Sequence, residues 1–474
     1  MSAKAVDVYS YISLPGYSVQ FVVSHESITH TQADNFSCHH LEIESLNISG
    51  TSDAITQFKW TVYNPNGGAI ASKYNDIHLA NGKLETGKIA SPETEPPIKI
   101  SDVIITSCIY SAGPGNAGLT NRHQCSITIT SISNRHWMKS VAPPGSTAAQ
   151  LPFSRFVLPS PHDCGMNSLQ TCESILAVAD LDMVHQLKNF IPNANQFKDT
   201  PDQFLLDHLR EIVYGTAITQ KESIATMLAL GARYFELRPA KLLPFFQKAS
   251  NLPNAYYFHH SLIPGISFRD FLSEVVGFLD EERMEIVVLH VRYDNIVAEC
   301  ERPSMSEVFD MLDSTCEKVK NPPLRWEDGT CFSRSIDEFR QLGIRLIVLF
   351  EAEKYDSYNP KAYATLTPTP ILECFEAMTT EGQESTDLTV LQCQATSQAI
   401  GEVMIESIRN SKAAGSCLMS TKARNDMVLL PWIKENLEKK LRAERLCVVM
   451  DDWVDAGLVD VCVQISRRRL GVGG

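Results

Sequence analysis

The chain has no excess of positive charge, no long apolar run and no secretory start. Its 42 Lys and Arg stand against 56 Asp and Glu, for a formal net charge of −14. That acidity argues against nucleic acid as a partner, and against tight, purely electrostatic docking on anionic membranes. Peripheral contact with a bilayer through a local patch stays compatible with it. No stretch approaches the roughly 18 consecutive apolar residues of a membrane span. Met1 to Ser13 lacks a basic region followed by an apolar run, so no secretory signal is expected. The 13 cysteines are odd in number and scattered, which fits reduced thiols in the cytosol. Cys164 and Cys172 are therefore expected to be free, and the glycosylation patterns at Asn35 and Asn47 carry no meaning. What is present is ordinary for a globular protein: 474 residues, 44% hydrophobic and 21% charged. Such a length can hold two domains with sizeable cores.

Residues 1–140 read as all-β. Val19 to Val23, Leu41 to Ile48, Phe58 to Tyr63, Val103 to Tyr110 and Ser126 to Ile132 are short runs rich in β-branched and aromatic residues. Turn formers separate them, among them Asn64 to Gly68, Asn81-Gly82 and Gly113 to Gly115. Ser126 to Ile132 alternates strictly, as a half-buried strand does. The expectation is an N-terminal β-sandwich domain serving docking or scaffolding. His39-His40 has nothing nearby to complete a metal site. Residues 141–150, opening Val141-Ala142-Pro143-Pro144-Gly145, read as a linker.

From residue 151 to 474 strands alternate with amphipathic helices. Strands are expected at Pro152 to Ser160, Ala232 to Arg238, Ala255 to Phe258, Glu285 to Arg292, Arg345 to Glu351, Thr386 to Gln394, Ser416 to Met419 and Leu446 to Asp452. Helices are expected at Glu222 to Leu230, which Gly231 stops, and at Phe268 to Leu279. Strands in alternation with helices suggest an α/β fold, a (β/α)8 TIM barrel with some distortion, whose sites gather at the strands' C-terminal ends. Leu169 to Tyr214 and Cys300 to Arg334 are long for such a barrel and are expected to reshape its mouth.

At those ends stand His162 and Asp163, Glu236 and Arg238, His259-His260, Arg292, and Asp451-Asp452. Two histidines, a guanidinium and a carboxylate at one mouth suit cleavage of a phosphodiester by a neighbouring hydroxyl. One histidine takes the proton of the attacking hydroxyl, and the other protonates the leaving oxygen. The arginine stabilises the charge on the phosphoryl oxygens. His290 reads as a core histidine, and Arg467-Arg468-Arg469 as a solvated tail that could touch acidic lipid.

The segment from about Pro152 to Leu470 resembles the catalytic X domain of phosphatidylinositol-specific phospholipase C, in its bacterial form and fungal relatives. Pro161-His162-Asp163-Cys164-Gly165 is similar to the family's Gly-Thr-His-Asp-Ser-Gly box. Thr219-Gln220 and then Leu230-Gly231-Ala232-Arg233-Tyr234-Phe235-Glu236-Leu237-Arg238 resemble its arginine-bearing strand. Phe258-His259-His260-Ser261 matches its His-Gly turn, with Ser261 where Gly is usual. Phe278-Leu279 with Glu285-Ile286-Val287, and Val448 to Val454, match its later strands in the right order.

The resemblance implies His162 as general base, His260 as general acid, Arg238 on the phosphoryl group and Asp452 orienting His162. Asp163 would assist the arginine and the leaving group. Arg292 falls where the family has a lysine lining the site, and Glu236 would hold a substrate hydroxyl. His259 is the alternative to His260 as acid, and Asp451 the alternative to Asp452. The calcium-dependent animal forms carry Asn after the first His and a carboxylate at the arginine position. Here Asp163 and Arg238 stand there, so no metal and no other cofactor is expected. The expected activity is that of a phosphodiesterase, a phosphorus–oxygen lyase acting on a phosphoinositide or another phosphodiester. The expected place is the cytoplasm, with peripheral membrane contact allowed. Two rivals stay open: the same site acting on a soluble metabolite, and a catalytically silent binding protein.

Overall fold

The computed structural model describes residues 5–23, 26–43, 55–78, 83–84, 95–113, 115, 118–188, 199–395, 403, 405, 408 and 417–473. The expected turn at Asn81-Gly82, the pattern at Asn47, the end of the Leu41 to Ile48 run and Pro114 lie outside these residues.

The first part of the chain forms two five-stranded sheets. One contains Cys38–Glu42, Ala5–Ile12, His123–Ser131, Val103–Tyr110 and Ile98–Ile100 in that order. The other contains Glu26–His30, Ser18–Val23, Ile55–Tyr63, Ala69–His78 and Lys83–Leu84. Pairing is antiparallel except between Ala5–Ile12 and His123–Ser131. One hydrophobic cluster joins the sheets, with Val6, Val8 and Ile127 from the first and Phe21, Phe58 and Trp60 from the second. His39 is used inside this region: its Nδ1 sits 2.9 Å from Nε2 of buried His30, whose Nδ1 meets Ser10 Oγ at 2.9 Å.

The alternation in Ser126 to Ile132 implied one wet face. Instead most of His123–Ser131 is buried. The C-terminal helix Ala456–Arg469 packs on the outside of this sheet, and Asn134 Nδ2 donates to Asp460 Oδ1 at 3.5 Å. The small polar residues of the strand fit under a helix as well as they would face water.

Beyond residue 150 eight strands pair in parallel, in two four-stranded sheets. The first runs Val157–Pro161, Leu446–Asp451, Leu388–Gln392, Lys354–Asp356. The second runs Tyr234–Leu237, Val287–Val291, Ile344–Phe350, Leu324–Trp326. A single backbone bond, Arg233 N to Pro159 O at 3.0 Å, links their adjoining edges. The fold is α/β as expected, and among the described residues the strands form two parallel arcs that no ladder closes into one ring.

The membership of the arcs also differs from expectation. Tyr257–His260 pairs antiparallel with Pro239–Ala240 and Ile263–Ser267 in a small separate sheet. Residues 417–419 belong to a 3-10 turn, Cys417–Thr421, rather than a strand. The short strands Leu324–Trp326 and Lys354–Asp356 stand in the arcs instead. The expected helices form as Ile224–Leu230 and Phe268–Glu281. Ser223 caps the first by accepting from Thr226 N, and Gly231 ends it at φ 125°. Gly145 of the expected linker is tied down, its N–H donating to Asp337 Oδ2 at 2.8 Å.

Two glycines set how closely the small sheet approaches the end of Val157–Pro161. A Cβ on Gly265 would lie 2.1 Å from Gly165 O, and one on Gly165 would lie 2.2 Å from the Phe258 ring. With neither Cβ present, Ile266 N donates to Gly165 O at 3.0 Å. That contact brings the His260 strand against the His162 turn.

Candidate active site

His162 follows Val157–Pro161 directly, and its N–H continues the ladder by donating to Asp451 O at 2.8 Å. Thr219 and Gln220 clamp the turn. Gln220 Nε2 donates to His162 O at 2.9 Å and to Asp451 O at 3.0 Å, while its Oε1 accepts from Val454 N at 3.0 Å. Thr219 Oγ1 lies 3.2 Å from His162 O and 3.1 Å from Asp163 O. Two strand ends are thereby locked together by one amide side chain. Such support is what a site needs to hold its groups to within a fraction of an ångström.

Inside this frame His162 Nδ1 meets Asp452 Oδ1 at 2.8 Å, which holds the proton on Nδ1 and turns Nε2 outward. Nε2 lies 3.5 Å from Asp163 Oδ2. His260 Nε2 lies 3.5 Å from the same oxygen. The other oxygen, Asp163 Oδ1, accepts from Arg238 Nη1 at 2.6 Å. Arg238 Nη2 donates to Glu236 Oε1 at 3.0 Å, and Glu236 Oε2 accepts from Lys354 Nζ at 2.7 Å. Asp163 is thus the hub, with a histidine on each side and the arginine behind it.

The strand alternation separates the residue pairs that the sequence left open. His260 turns toward Asp163, whereas His259 is fully buried beside the backbone of Ser261 and Ala240. Burial pushes His259 down to about 4. Asp452 faces His162, whereas Asp451 pairs with Lys422 Nζ at 3.1 Å, away from the histidines. Arg292 is set off from the cluster: its Nε donates to Asp294 Oδ1 at 2.8 Å, and Asp294 lies 4.0 Å from Arg238. Beside Arg238, it is Lys354 and not Arg292 that touches Glu236. His290 is a core residue as expected, with Nδ1 2.5 Å from Tyr234 Oη, and burial pushes it down to about 3. Cys164 and Cys172 are buried, free thiols.

The electrostatics follow from these contacts. Burial opposes a charge on His162, but the Asp163 and Asp452 carboxylates outweigh it and lift the ring to about 9. His260 goes the other way: burial, only partly offset by Asp163, holds it below the usual histidine range. Burial disfavours charge on Asp163, yet Arg238 and then the two histidines keep its carboxyl below the usual range. Burial pushes Asp452 up to about 6 in spite of His162. The free site therefore keeps one proton on His162 and none on His260 near neutral pH.

The turns holding these groups are strained. Asp163, Ser261, Glu351 and Trp453 all have positive φ, at 42°, 58°, 49° and 56°. Each follows a strand by one or two residues. Ser261 stands where the resembling family has Gly, and its φ gives the physical reason for that preference.

Sequence reasoning missed Lys354, Asp294 and Asp356. Lys354 Nζ also meets Asp356 Oδ2 at 3.0 Å, and Gln392 Nε2 donates to both oxygens of Asp356 at 2.7 Å. The signal was the Lys354-Tyr355-Asp356 alternation, which puts the two charged groups on one face of a short strand.

No family model matches the chain. Over 139 residues it is 26% identical to the PI-PLC X domain-containing protein 1 of Danio rerio, a match that spans 29% of this chain and 38% of that protein. Among solved structures, the phosphatidylinositol-specific phospholipase C of Listeria monocytogenes is 12% identical, over 70% of this chain and 98% of that one, with a TM-score of 0.37. A variant of the Staphylococcus aureus enzyme is 13% identical over 70% and 98% of the two chains, with a TM-score of 0.38. The Danio rerio match agrees with the ordered motifs in making the chain similar to phosphatidylinositol-specific phospholipase C X-domain proteins.

Among the described residues no helix is long and apolar enough to cross a membrane.

Proposed function

We infer that this chain is a phosphodiesterase of the phospholipase C type that works through a cyclic phosphate. The observation that carries the reading is the pair of histidine Nε2 atoms, each 3.5 Å from Asp163 Oδ2, with Arg238 on the carboxylate's other oxygen. A substrate hydroxyl beside the phosphodiester attacks phosphorus. A new O–P bond closes the ring, and the bond from phosphorus to the leaving oxygen breaks. The hydroxyl proton passes to His162 Nε2, and His260 Nε2 gives a proton to the leaving oxygen. Arg238, backed by Glu236, meets the phosphoryl oxygens. Asp452 orients His162, and Asp163 relays charge between the histidines and the arginine.

In the free site the proton rests on His162, the reverse of the working arrangement. A phosphodiester anion bound between Arg238 and His260 raises His260 and draws the proton to it. The fixed cation of Arg238 makes a metal unnecessary and repels one, so turnover should survive a chelator. A phosphoinositide is the first substrate to try. The polar mouth formed by Lys354, Asp356 and Asp294 also suits the hydroxyls of a soluble polyol phosphodiester.

On this reading residues 1–140 are a β-sandwich domain, 141–150 a linker, and the two parallel arcs the halves of a distorted barrel. Arg292 and His259 have supporting rather than chemical roles.

Phosphorus NMR of the purified chain with phosphatidylinositol micelles, with and without a chelator, is the test. A cyclic phosphodiester resonance that survives chelation is expected. No resonance with any phosphodiester offered would leave a silent binding protein.

A further inference from the structure

The opposite ends of the same strands carry a second cluster of charge. A cavity of about 360 Å³ lies between Arg155, Thr380, residues 438–443 and the pair Arg468-Arg469. Arg155 precedes the strand Val157–Pro161, and Leu441 to Ala443 precede Leu446–Asp451. The cavity therefore sits at the end of these strands away from His162 and Asp452. A volume of a few hundred Å³ is that of a small-molecule site.

Its walls are cationic. Arg155, Lys439, Lys440, Arg442, Arg468 and Arg469 line it, and Glu438 is the one carboxylate among the lining residues. Three of the cations have carboxylate partners: Arg155 with Glu444 at 2.9 Å, Arg442 with Glu384 at 2.7 Å and Arg468 with Glu438 at 2.5 Å. Lys439, Lys440 and Arg469 remain. Among the described residues Lys439 Nζ reaches Asn436 Oδ1 at 3.4 Å alone, and Lys440 Nζ Glu376 O at 2.7 Å alone.

Two helices, Lys422–Lys440 and Ala456–Arg469, end here, and their carbonyl ends favour cations in the last turn. That accounts for the lysines. It does not account for Arg469, which is 6% exposed, has the buried Cys447 thiol beside it, and has no oxygen accepting from its Nε, Nη1 or Nη2 among the described residues. The expected solvated tail is corrected here. Val461, Cys462, Ile465 and Arg469 share the inward stripe of the helix, and Arg469 is drawn in with it. Its charged neighbours are Glu438, already engaged by Arg468, and Arg155, which repels it. A buried guanidinium without an anion is costly, and a phosphate is the group its planar fork of donors fits.

We propose that this cavity is a second anion site, which takes a phosphate group of a small polyphosphorylated ligand, with Arg469 as its floor and Lys439 and Lys440 at its rim. The phosphate is carried either by a soluble polyol phosphate or by a lipid headgroup of the same chemistry.

Calorimetric titration of the full chain with myo-inositol hexakisphosphate tests the site. The chain binds, K439Q/K440Q binds about tenfold more weakly or worse, and R469Q loses the site, as expected when charge-assisted contacts to phosphate are removed. H162A, at the far end of the strands, binds like the parent. The lysine pair is the arm that holds if R469Q fails to fold, since Lys439 is exposed and a thermal melt checks the variant. Co-sedimentation with phosphatidylcholine vesicles, with and without a phosphatidylinositol bisphosphate, separates the two sources. Binding to the phosphorylated vesicles, abolished by K439Q/K440Q, assigns the lipid; binding of the soluble ligand alone assigns the polyol phosphate. Absence of binding to either, or binding that is unchanged in K439Q/K440Q and lost in H162A, overturns the proposal.

Discussion

The strand Tyr234–Leu237 has an arginine at each end, and the fold treats the two differently. Arg233 is fully buried with its donors in use. Its Nε and Nη2 donate to Glu285 Oε2 at 3.0 and 2.7 Å, Nη1 donates to Leu228 O and Ala232 O at 2.8 Å, and Nη2 also reaches Arg135 O at 2.6 Å. Glu285 in turn accepts from the backbone of Met138 and Lys139. Arg238 is also mostly buried and holds two carboxylates, but its Nε has no partner. Asp163 Oδ2, 3.5 Å from each histidine, and His260 Nδ1 make no hydrogen bond either. Completeness of the hydrogen bonding, more than charge or burial, separates a structural ion pair from a site awaiting a ligand. The family-like motif Arg233-Tyr234-Phe235-Glu236-Leu237-Arg238 thus carries two jobs, one at each end.

Replacing each arginine should split those jobs, and the largest effects are expected here. R238Q removes the cation proposed to bind the phosphoryl group and is expected to lower turnover about 10²–10³-fold, as loss of one charge-stabilising donor does. Glu236 keeps Lys354 and Asp163 keeps its two histidines, but Asp163 Oδ1 loses its donor, so the thermal midpoint should fall, by less than in R233M. R233M leaves the Glu285 charge buried and unpaired, at a cost of about 3–5 kcal/mol. Turnover per folded molecule should stay close to the parent. Urea melts read beside active-site-normalised rates decide the matter. Equal losses of activity per folded molecule in both variants would erase the distinction between the two ends.

The second prediction concerns the proton shared by the histidines. With His162 lifted to about 9 and His260 held below the usual range, the one-proton site dominates between those limits. The profile of kcat/KM should be bell-shaped, with its alkaline limb near pH 9. D452N removes one of the two carboxylates that raise His162, so the alkaline limb should move to lower pH. The sign on stability agrees. A histidine raised on folding stabilises most below its unfolded value, and that stability fades as pH rises toward 9. The parent should therefore lose thermal stability between about pH 6.5 and 9 more steeply than D452N. An unshifted limb in D452N would remove Asp452 from the role of orienting group.

How much of this could be read beforehand depended on the strand in question. His162, Arg238, His260 and Asp452 were legible because each ends an apolar run, where polar groups of an α/β fold collect. The placement of His260 was legible while the sheet it lies in was not. Tyr257–His260 has the composition of a parallel core strand, but Gly165 and Gly265 let a hairpin partner approach closely, and it pairs antiparallel instead. Lys354 and Asp356 were hidden because their three-residue strand has no apolar run, and its side chains are only half-buried. Arg469 was hidden by its neighbours. Three arginines in a row read as exposed, and only the spacing from Cys462 and Ile465 marks the last of them as inward.

The smallest expected effect bears on the strain at the mouth. Ser261 holds φ 58° directly after His260, a conformation that costs a residue with a Cβ about 1 kcal/mol or more. S261G removes that cost and adds some unfolded-state freedom, for a net gain of about 0.5–1 kcal/mol. If the strain serves only to carry the chain back from His260 into Ile263–Ser267, the gain should appear in a denaturant melt with kcat unchanged. If it holds the His260 ring against Asp163, the glycine should loosen that ring. The melt would then still improve while kcat falls and KM stays level. The equivalent change at the other end, G231A, puts a Cβ 2.6 Å from Val459 at φ 125° and should only destabilise. A strained serine at the mouth and a required glycine at the far end would then respond with opposite signs, as expected if strain is tolerated where the histidines are held and avoided where the fold is merely closed.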